Sequence, residues 1–207
     1  LNYSQNRGVK PTVEYRYTPN YHTKGSFAAS FIDDKITNST FWEVQVEHRQ
    51  ALPYDFSFNG HLDLQKQGFN RNFSNSTSER AQRNTDSHAN FTKSWDGSTL
   101  DILTRYRDSS QTGSDQTFAQ LPQITYKTQR QKIGDTNFFF SQDSSFTSFL
   151  TDLDTSPDID DKFSVQRFDF RPQFSYSTRI APWLAFTPSL GLRETIYSKG
   201  LDATDNN

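Results

Sequence analysis

The chain has 207 residues, no cysteine, and a formal charge of −2 from 22 basic and 24 acidic residues. These figures exclude a disulfide framework, a thiolate nucleophile, a cysteine-type zinc site and a global field that would draw nucleic acid. Hydrophobic residues make up 32% and mean hydropathy is −0.86, yet 15% of residues are aromatic, with 19 Phe and 9 Tyr.

That much ring area excludes a disordered tail, because each ring left in water costs roughly 2 kcal/mol or more. A polar chain with many rings belongs in a sheet with one wet face or in a barrel with a wet lumen. No apolar run approaches the ~20 residues that a spanning helix needs, whereas a transmembrane strand needs only ~9–11 alternating residues.

Period-2 alternation runs through the chain and helical periodicity is almost absent. About ten strands are expected, near residues 10–18, 25–33, 40–50, 54–66, 79–95, 98–108, 118–130, 136–149, 162–177 and 183–198. In the third, Trp42, Val44 and Val46 oppose Glu43, Gln45 and Glu47. In the fourth, Phe56, Phe58, Gly60, Leu62 and Leu64 oppose Ser57, Asn59, His61 and Asp63. Leu100, Ile102 and Tyr106 then oppose Asp101, Arg105 and Arg107. Phe168, Phe170, Phe174 and Tyr176 oppose Arg167, Asp169, Arg171, Gln173 and Ser175. In the last strand Leu184, Phe186, Leu190 and Leu192 oppose Thr187, Ser189 and Arg193.

The connections carry more information than the strands. Short turns are expected at 51–53, 96–97, 131–135 and 178–182, and long polar connections at 67–78, 109–117 and 150–161. Asp96-Gly97 is the strongest local hairpin signal. From the third strand onward short and long alternate strictly, as they do in outer-membrane barrels with tight periplasmic turns and elaborated extracellular loops. The expected fold is therefore an all-β, antiparallel up-and-down meander, part of a transmembrane outer-membrane β-barrel, with residues 1–207 forming a single barrel segment. No repeat period indicates a propeller or solenoid.

In that fold Trp42, Phe58, Leu62, Leu100, Phe170 and Leu190 are expected to face lipid. Glu43, Glu47, His61, Arg105, Arg107, Arg167, Arg171 and Arg193 are expected to face the lumen. Guanidinium groups suit the phosphates and carboxylates of an anionic amphiphile. Against this, mixed charges on one wall pair with each other and hold it rigid, and for any single arginine that reading is preferred.

Nothing singles out a catalytic centre. The histidines, His22, His48, His61 and His88, show no metal-ligand spacing and read as polar strand residues. The acidic loop at 152–161 lacks the central Gly and terminal Glu of an EF-hand; it reads as a solvated loop, its affinity for divalent cations left open. Asn38, Asn72, Asn75 and Asn90 begin chance sequons in a chain rich in Ser and Thr. No nucleophile elbow, Walker loop or dinucleotide fingerprint is present. No enzyme activity, metal or cofactor is expected.

Several segments, in order and spacing, resemble the LPS-assembly outer-membrane family, LptD (also called OstA). They are Asn6-Arg-Gly-Val-Lys-Pro-Thr-Val-Glu-Tyr-Arg-Tyr17, Phe31-Ile-Asp-Asp-Lys35, His48-Arg-Gln50, Leu121-Pro-Gln-Ile124, Arg167-Phe-Asp-Phe-Arg-Pro172 and Leu190-Gly-Leu-Arg-Glu-Thr-Ile-Tyr197. The resemblance implies the middle of a large C-terminal barrel in the bacterial outer membrane. It implies a translocon wall that inserts lipopolysaccharide into the outer leaflet. The implied partners are lipopolysaccharide, a lipoprotein plug of the LptE type, periplasmic LPS bridge proteins and outer-membrane lipid. The strands of the family's lateral gate are expected to lie outside the chain, so no gate residue is carried over. The alternatives are an outer-membrane porin or ligand-gated transporter barrel, and a soluble all-β binding module. A middle segment should be a curved, strongly twisted open sheet or a strained small barrel, with unpaired edges at 13–17 and 184–192.

Overall fold

The computed structural model describes residues 2–4, 7–74, 76–82, 84–109, 116–153 and 162–198. Its elements are β1 (Asn2–Ser4), β2 (Gly8–Lys10), β3 (Thr12–Asn20), β4 (Thr23–Asp34), β5 (Ser39–Leu52), β6 (Phe56–Gln65), α1 (Phe69–Phe73), α2 (Thr77–Arg80) and β7 (Asn84–Trp95). They continue with β8 (Ser98–Ser109), β9 (Gln116–Lys132), β10 (Phe138–Leu153), β11 (Lys162–Tyr176), β12 (Thr178–Ala181), β13 (Leu184–Phe186), β14 (Ser189–Gly191) and β15 (Glu194–Tyr197). Most of the 152–161 acidic loop lies outside the described residues.

From β3 to β11 each strand pairs antiparallel with the next, and β14 and β15 both pair with β11. The chain is all-β and the meander is that expected from alternation. The sheet is open, with β3 at one edge and β14 and β15 at the other.

Because consecutive strands are antiparallel, successive connections fall at opposite rims. The turns after β3, β5, β7 and β9 share one rim, and each is short. The connections after β4, β6, β8 and β10 leave from the other rim and range from four residues at 35–38 and six at 110–115 to eighteen at 66–83. The expected turn at 51–53 instead occupies 53–55, where Tyr54 and Asp55 both adopt positive φ, 61° and 60°. Ala51 and Leu52 remain in the ladder opposite Ser57 and Phe56.

Other departures have physical causes. The expected strand at 79–95 starts only at Asn84, because Thr77–Arg80 closes a helical turn. The expected last strand at 183–198 is broken. Proline has no N–H to give a ladder, and Pro182 and Pro188 flank β13. Pro188 contributes only its carbonyl, which accepts from Tyr176 N at 3.0 Å. β13 turns back on β12 in a separate hairpin, so the expected edge at 184–192 is carried by β14 and β15 rather than by Leu184.

β9 carries an extra residue at Leu121-Pro122 relative to both neighbours: register shifts fall between Leu103 and Arg105 of β8 and between Thr147 and Phe149 of β10. Bulges of this kind bend a sheet and increase its twist.

The buried apolar core is small and sits at the long-loop rim. Ile32 and Phe41, opposite each other on β4 and β5, pack with Phe69 and Phe73 of α1. Phe69 is 1% exposed. The β1–β2 hairpin locks α1 down: Arg7 donates to Asn72 O at 3.2 Å and Lys10 donates to Phe73 O at 3.1 Å. The same cations stack on the Phe73 and Phe69 rings, each at 5.1 Å. Neither this hairpin nor α1 is visible as a periodic signal in the sequence.

Candidate functional site

Facing residues in a ladder share a face, so the register sorts the side chains. One row runs through Phe58, Phe91, Ile102, Ile124, Phe146, Phe168 and Ile196, each directly opposite the next on six strands and the β15 segment. It is apolar throughout. Trp42, Leu62, Leu100, Phe170 and Leu190 lie on the same face as Phe58, by the same pairings. Among the described residues nothing covers this face: Phe91 is 44% exposed and Phe168 43%.

Toward the short-turn rim the apolar face ends in rings. Trp95 stacks on Tyr126 at 5.9 Å, Phe138 meets Tyr176 at 4.9 Å and Phe140 meets Phe174 at 5.0 Å. Toward the other rim, Trp42 stands opposite Phe31. Aromatic rings at both ends of an apolar band are what a lipid–water interface selects, since such rings have an apolar body and, in Tyr and Trp, a polar tip.

The reverse face is polar and charged. Glu43, Glu47, His61, Arg105, Arg107, Arg167, Arg171 and Arg193 all fall on it, by alternation and by pairing. Four strands contribute to one strip. Asp86 forms an ion pair with Arg105, Nε lying 3.3 Å from Oδ1, and accepts from Arg107 Nε at 3.4 Å. His88 Nδ1 lies 4.0 Å from the same carboxylate, its ring 5.5 Å from that of His61, and His61 Nδ1 is 3.8 Å from Glu47. Gln45 donates to Glu43 at 2.9 Å. Farther along, Arg193 engages Asp169, Arg167 lies over the Phe149 ring at 5.7 Å, and Arg171 stands opposite Asp143, which Lys127 approaches at 3.5 Å. The strip is a belt of opposed charges rather than a cationic track, and half-exposed pairs of this kind stabilise only modestly.

His48, next to His61 in the sequence pattern, is on the opposite face. Its Nδ1 meets the Tyr17 hydroxyl at 2.5 Å, with Gly25 lying between the two strands. Among the described residues no group of three or more His, Asp or Glu is placed to hold a metal ion, and no helix is long and apolar enough to cross a membrane, which leaves strands untested.

The family described as LPS transport system D, LptD, matches residues 38–207. The chain belongs to the LptD family. The LPS-assembly protein LptD of Cupriavidus necator is 26% identical over 204 residues, covering 97% of this chain and 24% of that protein. The chain thus spans about a quarter of the length of the curated relative it matches. Membership of the LptD family places the chain in the outer membrane of Gram-negative bacteria.

Within this LptD-family sheet, two contributors were not singled out from the sequence. Asp86 gathers two arginines only because β7 and β8 pair in the register that sets it opposite Arg107. Lys93 is on the apolar face, where its Nζ lies 4.6 Å from the Phe56 ring centroid and 5.9 Å from that of Trp95. A signal for Lys93 was available: it shares parity with Phe91 and Trp95 in the sequence.

Proposed function

We propose that this chain is a contiguous section of the wall of a transmembrane β-barrel through which lipopolysaccharide reaches the outer leaflet. The apolar face meets lipid and the polar face lines the lumen. The observation that carries this reading is the division of faces, kept without exception along the row from Phe58 to Ile196. Hydrocarbon cannot hydrogen-bond, so a spanning sheet must turn its polar side chains away from it. The segregation of short turns to one rim supports the same orientation, with that rim periplasmic.

An open sheet with a bare apolar row would not persist in water. Its two edges are instead matched to neighbouring strands of a larger barrel, of which residues 1–207 form one segment. A lumen wide enough for a lipopolysaccharide saccharide also has room for a lipoprotein plug, and the paired charges of the polar face give that plug a rigid, hydrated wall. Periplasmic bridge proteins deliver the lipid from the short-turn side. Family membership favours this translocon over a diffusion porin, which would use the same two-faced wall.

Single cysteines test the assignment in a background where any cysteine outside residues 1–207 is replaced by serine, these residues having none. Introduced at Phe91, Ile124 or Phe168 in the full-length protein in membranes, they should resist a charged maleimide and react with a lipid-soluble one. At His61, Arg105 or Arg171 the charged reagent should react. Equal labelling of both sets by the charged reagent would refute the lipid-facing assignment.

A further inference from the structure

On the apolar face, Gly60, Ala89 and Thr104 stand directly opposite one another on β6, β7 and β8. The Phe58 ring lies against Gly60, 3.1 Å from where a Cβ would stand, and beside it the small side chains of Ala89 and Thr104 leave a hollow of about 380 Å³, bounded by Phe58, Leu62, Tyr106 and Leu121. The extra residue of β9 falls beside Leu121, at the hollow's far wall. The floor offers no free hydroxyl. Thr104 Oγ1 donates to Ala89 O at 3.4 Å. Ser87 Oγ donates to Asp63 O at 3.1 Å and accepts from Asp63 N at 3.0 Å. His48, on the same face, also lines the hollow and is paired with Tyr17 and Gln50, while His61, His88 and Arg105 border it from strands whose register turns their side chains to the reverse face. With the hydroxyls of its floor paired, the hollow favours hydrocarbon over water.

Four residues along β7 toward the short-turn rim, on the same face, is Lys93, held among the rings of Phe56 and Trp95. On the apolar face of β6, β7 and β8 it is the one cation, the arginines of β8 being on the reverse face. Four residues of strand span about 13 Å, within the reach of one fatty acyl chain, and Phe91 lies between as an apolar track. A lysine at the aromatic belt extends its ammonium to the level of lipid phosphates.

We propose that this hollow and Lys93 together form a seat for one phospholipid of the leaflet on the short-turn side. Its phosphate pairs with Lys93 and one acyl chain runs over Phe91 into the hollow above Ala89 and Thr104, beside the Phe58 ring. A single cation matches the single phosphate of a phospholipid, and its place at the short-turn rim matches the periplasmic leaflet rather than the lipopolysaccharide leaflet. The proposal rests on the reading of the apolar face as lipid-facing.

The test uses the full-length protein in detergent, delipidated and then titrated with phosphatidylethanolamine or with lipid A, bound lipid being counted by native mass spectrometry. Wild type should retain one phosphatidylethanolamine, and both Ala89→Leu, which fills the hollow, and Lys93→Gln should lower its occupancy about tenfold, equivalent to ~1.4 kcal/mol. Equal occupancy in wild type and Lys93→Gln, or preferential retention of lipid A, would overturn the seat. Lys93→Gln leaves the hollow's packing intact, so it decides the matter should Ala89→Leu fail to fold. Brominated phospholipid in vesicles separates the two levels: unquenched Trp42 and Trp95 would overturn the lipid-facing reading itself, while quenched tryptophans with unchanged occupancy would overturn the seat alone.

Discussion

Arg193 closes on Asp169 as a forked pair, with Nη2 donating to Oδ2 at 2.7 Å and Nε 3.3 Å from both carboxylate oxygens. Thr195 Oγ1 donates to the same Oδ2 at 3.0 Å. The pair lies where the terminal strand is interrupted between β14 and β15, and it fastens both pieces to β11. Arg193→Ala should therefore accelerate amide hydrogen exchange across 189–198 and leave the β9–β10 ladder unchanged. Exchange in 189–198 equal to wild type would mean that the backbone ladder alone holds this edge.

Tyr17 reaches His48 by laying its ring across Gly25, which is opposite both residues on the intervening strand. Tyr17→Phe keeps the ring and loses one hydrogen bond, an expected cost of about 1 kcal/mol. Gly25→Ala drives a Cβ into the Tyr17 ring and to within 2.6 Å of the Glu47 carbonyl oxygen, and overpacking of this kind costs about 1–3 kcal/mol. Urea unfolding in lipid vesicles should rank Gly25→Ala as the more damaging change. The reverse order would contradict the described path of the Tyr17 ring.

Phe69 anchors α1 on Ile32 and Phe41. Phe69→Ala removes a fully buried ring, a loss of about 3–5 kcal/mol, which should be felt locally because α1 is tied to the sheet by few other contacts. Limited trypsin digestion should then cut at Lys66, Arg71 or Arg80 while the strands remain intact. Resistance equal to wild type would show that Arg7 and Lys10 hold the connection without the ring.

Ile102 and Leu103 are adjacent and similar in size, but the register sets Ile102 opposite Phe91 and Ile124, and Leu103 opposite Asn90 and Gln123. Arginine on the lipid face near the bilayer midplane costs about 2–4 kcal/mol. Folding into vesicles should thus be impaired by Ile102→Arg and nearly unaffected by Leu103→Arg. Similar penalties for the two would place both faces in one solvent and refute the membrane reading.

The polar strip could be inferred as a face but not as a set of partners. Alternation assigns Glu47, His61 and Arg105 to one side, since parity is a local property. That His61 meets His88, and that Asp86 is shared by Arg105 and Arg107, depends on which residues stand opposite. Opposition is set by turn lengths and bulges: a one-residue change in the turn at 53–55 would part Glu47 from His61, and one at 96–97 would part Asp86 from Arg107.

The amino-acid sequence determined by itself the strand class, the antiparallel order and the two faces, because alternation and turn residues act within a few positions. It also determined the tight turns at 96–97 and near 51–55 and 131–137, but not at 178–182, where β12 stands in place of the expected turn. Only the tertiary structure decided that Phe69 and Phe73 form a core with Ile32 and Phe41, since α1 spans five residues and is too short for a helical period to register. The tertiary structure likewise decided the course of the last strand, where Pro182 and Pro188 flank a β13 that leaves the sheet, while Arg193 on Asp169 fastens β14 and β15 to β11. Such contacts join residues far apart in the chain, and their formation depends on the sheet already being in place.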